Sequence, residues 1–442
     1  MSLDSKPESL YPKSDPQSNR RDFLSTSAIT TAVASTAMAS SVSFLSRSAY
    51  AAGSDIIKVG LIGCGGRGSG AANDAMKADA GCRLTAIADV FYDRLQDGKK
   101  QLQKTLGEQY EVKEEQCFSG WEALDNILAT DIDVVCLATP PGFRPAQMEA
   151  AVAAGKHVFC EKPVAVDPVG VRRVIAASAA AEAKGLSVVS GLCWRYDLGV
   201  KATIEKIQSG AIGEIVSIQS NYLTGTLWNR TPKPDWTPMH KQVLNWLYYR
   251  WLSGDHIVEQ FIHSLDKALW LHNDVPPVLC YGTGGRQVRT QPEFGDVYDH
   301  FAVVYEWADG TRCYATTRQM SECHNETEDF VYGTEGVARV IGNRIQGKVD
   351  WKYEGDSPSM YLLEHMALMK SIREGKPINN GDYMCKSTLM AIMGREAAYS
   401  GQVIKWDDAI ASDLKLGPDK PDWGPAPEVE IPMPGQYKFI DA

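Results

Sequence analysis

The chain has no excess of basic residues. Its 45 Lys and Arg stand against 55 Asp and Glu over 442 residues, a net charge of -10, so the electrostatic footprint of a nucleic-acid binder is missing and small neutral or cationic partners fit better. Its ten cysteines include no C-x-x-C pair, and their spacing supports neither a metal site nor a disulfide framework. Cys64, Cys136, Cys160 and Cys193 lie within or beside apolar runs, where small thiols act as core residues. The mild apolar run from Ala28 to Leu45 is diluted with Ser and Thr and is too polar for a stable membrane span. There is no internal repeat and no block of like charge.

What is present fits a soluble, two-domain protein: 44% hydrophobic and 23% charged residues, in a chain too long for one ordinary domain. The first fifty residues differ from the rest. Ser18-Asn19-Arg20-Arg21-Asp22-Phe23-Leu24 resembles a twin-arginine export motif, the mild apolar run follows it, and Ala49-Tyr50-Ala51 is an A-x-A cleavage site. The expectation is a signal peptide over 1–51, a mature protein starting near Ala52, and a periplasmic location. Export in the folded state lets thiols be buried before they meet an oxidising compartment.

The chain is organised around Val59 to Gly68, V-G-L-I-G-C-G-G-R-G. An apolar strand here feeds G-x-G-x-x-G at Gly63, Gly65 and Gly68, with Gly66 and Arg67 inside the turn, and a helix follows from Ser69 to Lys77. The first glycine allows the tight turn, the second admits a pyrophosphate, and the third lets helix and strand pack closely. The helix N-terminus then offers unpaired N–H groups to phosphate. A second strand, Cys82 to Val90, contains Asp89 near its end, 21 residues beyond Gly68. That is the place of the carboxylate that accepts from the adenosine ribose. Its charge repels a 2′-phosphate, which favours NAD(H) over NADP(H).

Strand and helix go on alternating. Helices are expected over Tyr92 to Leu106, Trp121 to Leu128, Arg144 to Ala154 and Asp167 to Lys184, and strands over Val134 to Ala138, Lys156 to Cys160 and Leu186 to Gly191. This is the doubly wound α/β pattern, with ligands at the carboxyl ends of the strands. The glycine turn, Asp89, A-T-P-P at Ala138 to Pro141 and E-K-P at Glu161 to Pro163 together resemble the Gfo/Idh/MocA family of dehydrogenases, named after glucose-fructose oxidoreductase and inositol dehydrogenase. The resemblance implies a Rossmann domain over 52–195 and a C-terminal α+β domain with an open, mainly antiparallel sheet over 196–442. It also implies cofactor contacts at Thr139, Pro140 and Glu161, and a Lys162 that sits beside the nicotinamide and touches the reacting hydroxyl. From the residues alone, Lys162 reads equally as a surface lysine before a turn; the following proline makes a cis bond plausible. Many family members carry a histidine shortly after A-T-P-P, where this chain has Phe143-Arg144.

Cys193-Trp194-Arg195-Tyr196 marks the crossing into the second domain. Arg195 and Tyr196 are candidates for reading substrate hydroxyls, with an interdomain salt bridge as the equal alternative for the guanidinium. Strands are expected over Glu214 to Thr224, Val278 to Val288, Phe301 to Glu306, Arg312 to Gln319, Phe330 to Val340 and Val349 to Tyr353. Two later helices, Ser359 to Glu374 and Cys385 to Ser400, are expected to return to the interdomain region before a Pro-rich arm from Leu416 to Gln436. Between them, Glu259 and His263 stand four apart with Asp266 three further on, which puts carboxylate, imidazole and carboxylate on one face of a helix. The family has D-x-x-x-H-x-x-D here, and the resemblance implies His263 as the base; Glu259 replaces the usual Asp. Asp266 is a candidate substrate contact. Trp228, Trp236, Trp246, Trp251, Tyr248 and Tyr249 crowd the same region, for packing or for stacking on a sugar face.

The expected activity is hydride transfer between a sugar, glycoside or cyclitol carbinol and a tightly bound NAD, in a homo-oligomer. One rival is a redox-neutral enzyme that oxidises transiently in order to cleave a glycoside. A second rival is a non-catalytic binding protein that kept the fold.

Overall fold

The computed structural model describes residues 56–440. The twin-arginine motif and the cleavage site lie outside the described residues. The first domain is built from β1 (Ile57–Ile62), α1 (Gly66–Ala78), β2 (Cys82–Asp89), α2 (Tyr92–Leu106), β3 (Cys117–Ser119), α3 (Ala123–Leu128), β4 (Val134–Leu137), α4 (Arg144–Ala153), β5 (His157–Cys160), α5 (Pro168–Ala183) and β6 (Val188–Ser190). The six strands are all parallel, in the order β3-β2-β1-β4-β5-β6. That is the doubly wound order, and its chain reversal falls between β1 and β4, where a crevice opens at the carboxyl ends. Every residue of β4 is buried, as suits a strand covered on both faces.

The second domain contains α6 (Leu198–Gln208), β7 (Ile215–Thr224), α7 (Pro238–Leu244), α8 (Arg250–Ser253), α9 (His256–Glu259), α10 (Ile262–Leu271), β8 (Leu279–Gly285), β9 (His300–Glu306), β10 (Arg312–Gln319), β11 (Glu326–Gly333), β12 (Gly336–Arg339), β13 (Arg344–Gly347), β14 (Trp351–Lys352), α11 (Met360–Arg373), α12 (Gly381–Ser400), β15 (Ile404–Lys405) and α13 (Trp406–Ala411). Nine strands form one sheet in the order β14-β13-β12-β11-β7-β10-β9-β8-β15. The β7–β10 pair is parallel and the other pairs are antiparallel. Along β10, Cys313, Ala315 and Thr317 are buried while Arg312, Tyr314 and Thr316 are exposed, so one face is covered and the other is open.

Three expectations need correction. The stretch Phe330 to Val340 is two strands, β11 and β12, folded against each other at Thr334-Glu335. The expected strand from Val349 to Tyr353 is only β14, and its neighbour β13 had no period-2 apolar run to announce it. The segment from Glu259 to Asp266 is not one helix. It breaks at Gln260-Phe261, where Phe261 N–H donates to His256 O, five residues back, and Gln260 Oε1 accepts from Gln319 Nε2 at 2.7 Å. The widened turn carries the chain from α9 into α10.

Helix α12 is buried along nearly its whole length. It packs on α5 and β6 of the first domain and on α9, α10, β8 and β9 of the second. Residues 412–440 contain no helix or strand and lie back over both domains. Leu416 N–H donates to Asp167 Oδ2 at 2.8 Å, Gln242 Nε2 to Pro427 O at 2.8 Å, and Tyr298 OH to Pro432 O at 2.7 Å. All ten cysteines are free, and eight of them are buried. Among the described residues no helix is long and apolar enough to cross a membrane.

Candidate active site

A cleft of about 880 Å³ opens at the chain reversal, lined from both domains and by part of the C-terminal arm. Its floor is the glycine turn. Gly63 has φ +97°, and a Cβ on Gly68 would stand 1.8 Å from Gly63 O, so no side chain fits there. A Cβ on Gly66 would meet nothing within 4 Å, so this position faces open space. Gly65 caps α1 from an extended conformation with no side-chain hydrogen bond. The helix thus begins without a protein side chain on its first N–H groups, an arrangement that suits a pyrophosphate. The residues present fit a dinucleotide.

Asp89 ends β2 and lines the cleft. One carboxylate oxygen accepts from Cys64 N–H at 2.8 Å and the other from Phe91 N–H at 2.9 Å. Burial raises its pKa, and the two backbone donors oppose that shift. Thr139 and Pro140, at the end of β4, form the opposite wall. Thr139 Oγ1 donates to Gln147 Oε1 at 2.5 Å, and its carbonyl accepts from Arg144 at 2.6 Å. Arg144 is buried and also donates to Pro163 O. The residue standing near the family's histidine therefore braces two loops, the end of β4 and the E-K-P turn.

The E-K-P turn follows β5, with a cis peptide bond between Lys162 and Pro163. Glu161 is buried; its Oε2 accepts from Lys162 N–H at 3.1 Å, and its Oε1 pairs with Arg67. Arg67 reaches on to Glu364 of α11 at 3.0 Å and lies 4.8 Å from the centre of the Tyr361 ring. It is a tie between the glycine turn, the E-K-P turn and α11, more than a free phosphate ligand. Burial, with Glu161 close by, pushes the Glu364 carboxyl well up, and Arg67 opposes this.

Lys162, Glu259 and His263 come from different domains and line the same cleft. Lys162 Nζ donates to Glu259 Oε1 at 2.9 Å and also to Glu259 O. Glu259 makes no hydrogen bond with His263, because the break after α9 turns its carboxylate to the lysine. Burial lowers the His263 pKa well below the usual histidine value, and Lys162, Lys267 and Arg67 add to the shift. Lys267 Nζ donates to His263 O at 2.8 Å and pairs with buried Asp329 at 3.1 Å, which anchors the first turn of α10.

The cleft lining does not include Arg195, Tyr196 or Asp266. Arg195 pairs with Asp266 at 2.8 Å and Asp274 at 2.7 Å and lies 4.2 Å from the centre of the Tyr383 ring. Tyr196 OH donates to Asn380 at 2.9 Å, and Ser387 donates to Asp266 at 2.7 Å. All three side chains are committed to packing, so the alternative of an interdomain salt bridge holds for Arg195. Of the aromatic residues, Trp228 and Trp246 line the cleft, whereas Trp251, Tyr248 and Tyr249 belong to a buried apolar cluster.

Several cleft residues escaped the sequence reading as site residues: Arg94 and Trp121 of the first domain, Arg230 of the second, and Lys415, Leu416 and Pro418 of the arm. Trp423 of the arm stacks on His240 at 4.0 Å and meets Trp121 at 4.9 Å and Phe91 at 5.3 Å. Arg94 stands five residues after Asp89, in the first turn of α2, and that spacing was its one signal. Among the described residues no group of three or more His, Cys, Asp or Glu is placed to hold a metal ion.

Strand order, glycine turn and cleft define an NAD-binding oxidoreductase of the Rossmann type. Residues 57–190 match the oxidoreductase family with an NAD-binding Rossmann fold, and residues 200–339 match the GFO/IDH/MocA C-terminal domain. The chain belongs to the Gfo/Idh/MocA family. It is similar to 2,7-anhydro-N-acetylneuraminate hydratase of Escherichia coli, with 26% identity over 54% of this chain and 59% of the hydratase. It is also similar to inositol 2-dehydrogenase of Cereibacter sphaeroides, with 29% identity over 64% of this chain and 73% of the relative. The chain thus spans less than two thirds of the hydratase's length. A solved structure with the same fold is the WlbA dehydrogenase from Bordetella pertussis in complex with NADH and UDP-GlcNAcA, with TM-score 0.61 and 21% identity over 79% of this chain and 98% of that one.

Proposed function

We propose that the protein passes a hydride between a carbinol carbon of a sugar, glycoside or cyclitol and an NAD that it holds tightly. The observation that carries this reading is the meeting of Lys162, Glu259 and His263 in one cleft beside the glycine turn. The bound dinucleotide supplies the centre that accepts and returns the hydride. His263, kept neutral by burial and by the cations around it, takes the proton of the hydroxyl. Lys162 donates to the same oxygen and steadies negative charge as it develops there. Glu259 holds Lys162 Nζ in place from the second domain. Trp228 and Trp246 offer faces on which a ring can stack. The names of the relatives, a dehydrogenase of inositol and a hydratase of an anhydro sugar acid, support this substrate class.

The arm supports cofactor retention, because Lys415, Leu416 and Pro418 line the cleft and Trp423 anchors the arm beside it. Retention in turn favours a second reading: transient oxidation followed by elimination or addition, with the hydride returned to the same sugar. The similarity to a hydratase points the same way. A panel of sugars, glycosides and cyclitols, followed by cofactor absorbance and product mass, separates the two. A keto product with reduced cofactor supports net oxidation, and a cleaved or hydrated product without net reduction supports the second reading. No turnover across the panel refutes both.

The sequence of Ser18 to Ala51 supports twin-arginine export to the periplasm. A periplasmic fraction holding protein that begins near Ala52, lost when Arg20 and Arg21 are both changed to Lys, is the expected result. The open face of the nine-stranded sheet exposes Val216, Tyr281, Tyr314 and Tyr332, which supports assembly into a homo-oligomer. Light scattering on the purified protein tests it.

A further inference from the structure

We propose that Arg289 and Gln319 are positioning residues for the reaction: from behind the cleft they hold both ends of α9, and so keep the Glu259 carboxylate on Lys162. The proposal rests on the role given to Lys162 and Glu259 above. Neither Arg289 nor Gln319 lines the cleft, and both are buried. Helix α9 is a single turn, His256–Glu259, too short to hold a direction by its own hydrogen bonds. Its last residue is nevertheless the one that meets Lys162 Nζ, at 2.9 Å.

Arg289 serves each end of the turn through a different group. Its Nη1 donates to Gln319 Oε1 at 2.5 Å, which leaves the Gln319 amide to donate to Gln260 Oε1 at 2.7 Å, one residue past the end of α9. Without that pull on Gln260, α9 would run on into α10, and helical spacing would set Glu259 over His263. At the other end, Arg289 Nη2 donates to Tyr298 O, while Tyr298 N–H donates at 2.7 Å to Oδ2 of Asp255, the residue that caps α9. Asp255 is fully buried at φ 71° and ψ 163°, a region that otherwise only glycine enters readily. Such a backbone persists where its surroundings over-determine it. Here Oδ1 also accepts from His256 N–H at 2.5 Å, and Oδ2 from Tyr399 OH at 2.5 Å. Burial pushes the Asp255 carboxyl up, but His256, Tyr399 and the charge of Arg289 outweigh this and hold it below its usual value. The loop carrying Arg289 is fixed in turn by Asp299. Its Oδ2 accepts from the N–H groups of Gln287, Val288 and Arg289 at 2.7, 2.7 and 3.0 Å, and its carbonyl accepts from Gln319 N–H at 2.9 Å.

The test is made on the full-length, NAD-bound protein. Gln319→Glu keeps the acceptor that Arg289 needs and loses the amide donor to Gln260. It should lower kcat by roughly tenfold or more, with KM and NAD affinity changed by less than about twofold, because the displaced groups act on the developing oxyanion. In a Glu259→Ala background the same substitution should cost less than about twofold, since it acts through the carboxylate already removed. Arg289→Met should reproduce both results; should it fold poorly, Gln319→Glu decides alone. Losses that multiply in the double variant, or a raised KM at unchanged kcat, overturn the proposal. A second cycle needs no substrate: in urea unfolding, Lys162→Met and Gln319→Glu, on different domains, should lower the midpoint together by clearly less than the sum of their separate shifts. Additive shifts overturn the positioning role whether or not any sugar is turned over. Coupled shifts in a protein that turns over none of the panel refute the proposed reaction and leave the hold on α9 standing.

Discussion

His365 gives the stability of the protein a measurable dependence on pH. Its ring lies on α11, fully buried, 4.1 Å from the Phe159 ring, and neither ring nitrogen has a hydrogen-bond partner. Burial, with Arg67 nearby, pushes its pKa down to about 3 from an ordinary 6.5. A folded pKa below the unfolded one means that the unfolded chain binds more protons between those values. The contribution is therefore complete above pH 6.5 and drains away as pH falls toward 3. The linkage relation puts the loss at about 2 kcal/mol at pH 5 and about 3 kcal/mol at pH 4. That is a large part of the roughly 5–15 kcal/mol that keeps a protein folded. Other buried groups titrate as well, so the informative quantity is a difference. His365→Leu removes the ring nitrogens while keeping an apolar side chain against Phe159. In urea unfolding followed by tryptophan fluorescence, the wild type should lose about 2 kcal/mol more than the variant between pH 8 and pH 5. Parallel stability profiles for the two proteins would refute the argument.

Three further outcomes follow from the cleft. Lys162→Ala and His263→Ala should each lower turnover by roughly a hundredfold or more while leaving NAD binding intact by calorimetry; near wild-type rates in both variants would contradict the assigned chemistry. Because the His263 pKa is lowered, the neutral base persists below the ordinary histidine range, so the acid limb of kcat/KM against pH should fall below about 6.5; a limb at or above that value counts against His263 as the base. Asp89→Ala should weaken NAD by about tenfold, as one lost pair of ribose contacts predicts, and should improve NADP; a variant with unchanged preference, measured by titration, would remove Asp89 from the ribose site.

The first domain was legible because its signals are local. Buried parallel strands read as continuous apolar runs, the glycine turn and Asp89 sit at fixed offsets, and α2 runs from Tyr92 to Leu106, as its apolar spacing predicts. The second domain was legible as an α+β unit but not in detail. A turn at Thr334-Glu335 interrupts a stretch of β-formers; Gly333 and Gly336 flank it, and they were the turn signal that the residues carried. The partners of Glu259 were hidden for a different reason. Helical spacing alone sets it over His263, and only the break at Gln260-Phe261, held by Gln319 from β10, turns it toward Lys162. Arg195 and Asp266 show the same limit: sequence supplied the charges, but their pairing with each other and with Asp274 depends on tertiary placement. The arm has no periodicity to read, and its place beside the cleft is decided by single contacts such as Leu416 to Asp167.

Helix α12 has a mechanical consequence. Because one helix supplies core side chains to α5 and β6 on one side and to α10, β8 and β9 on the other, the boundary that the chain crosses near Arg195 is not a boundary of the packed interior. A fragment ending there would leave the surface of α5 that α12 covers open to water, and the remainder would keep a 20-residue helix with no floor beneath it. The two halves are therefore expected to melt in a single transition. The distance between the glycine turn and His263 is then set by a shared core, with no flexible linker between them, so the site can be preorganised without a closing motion of whole domains.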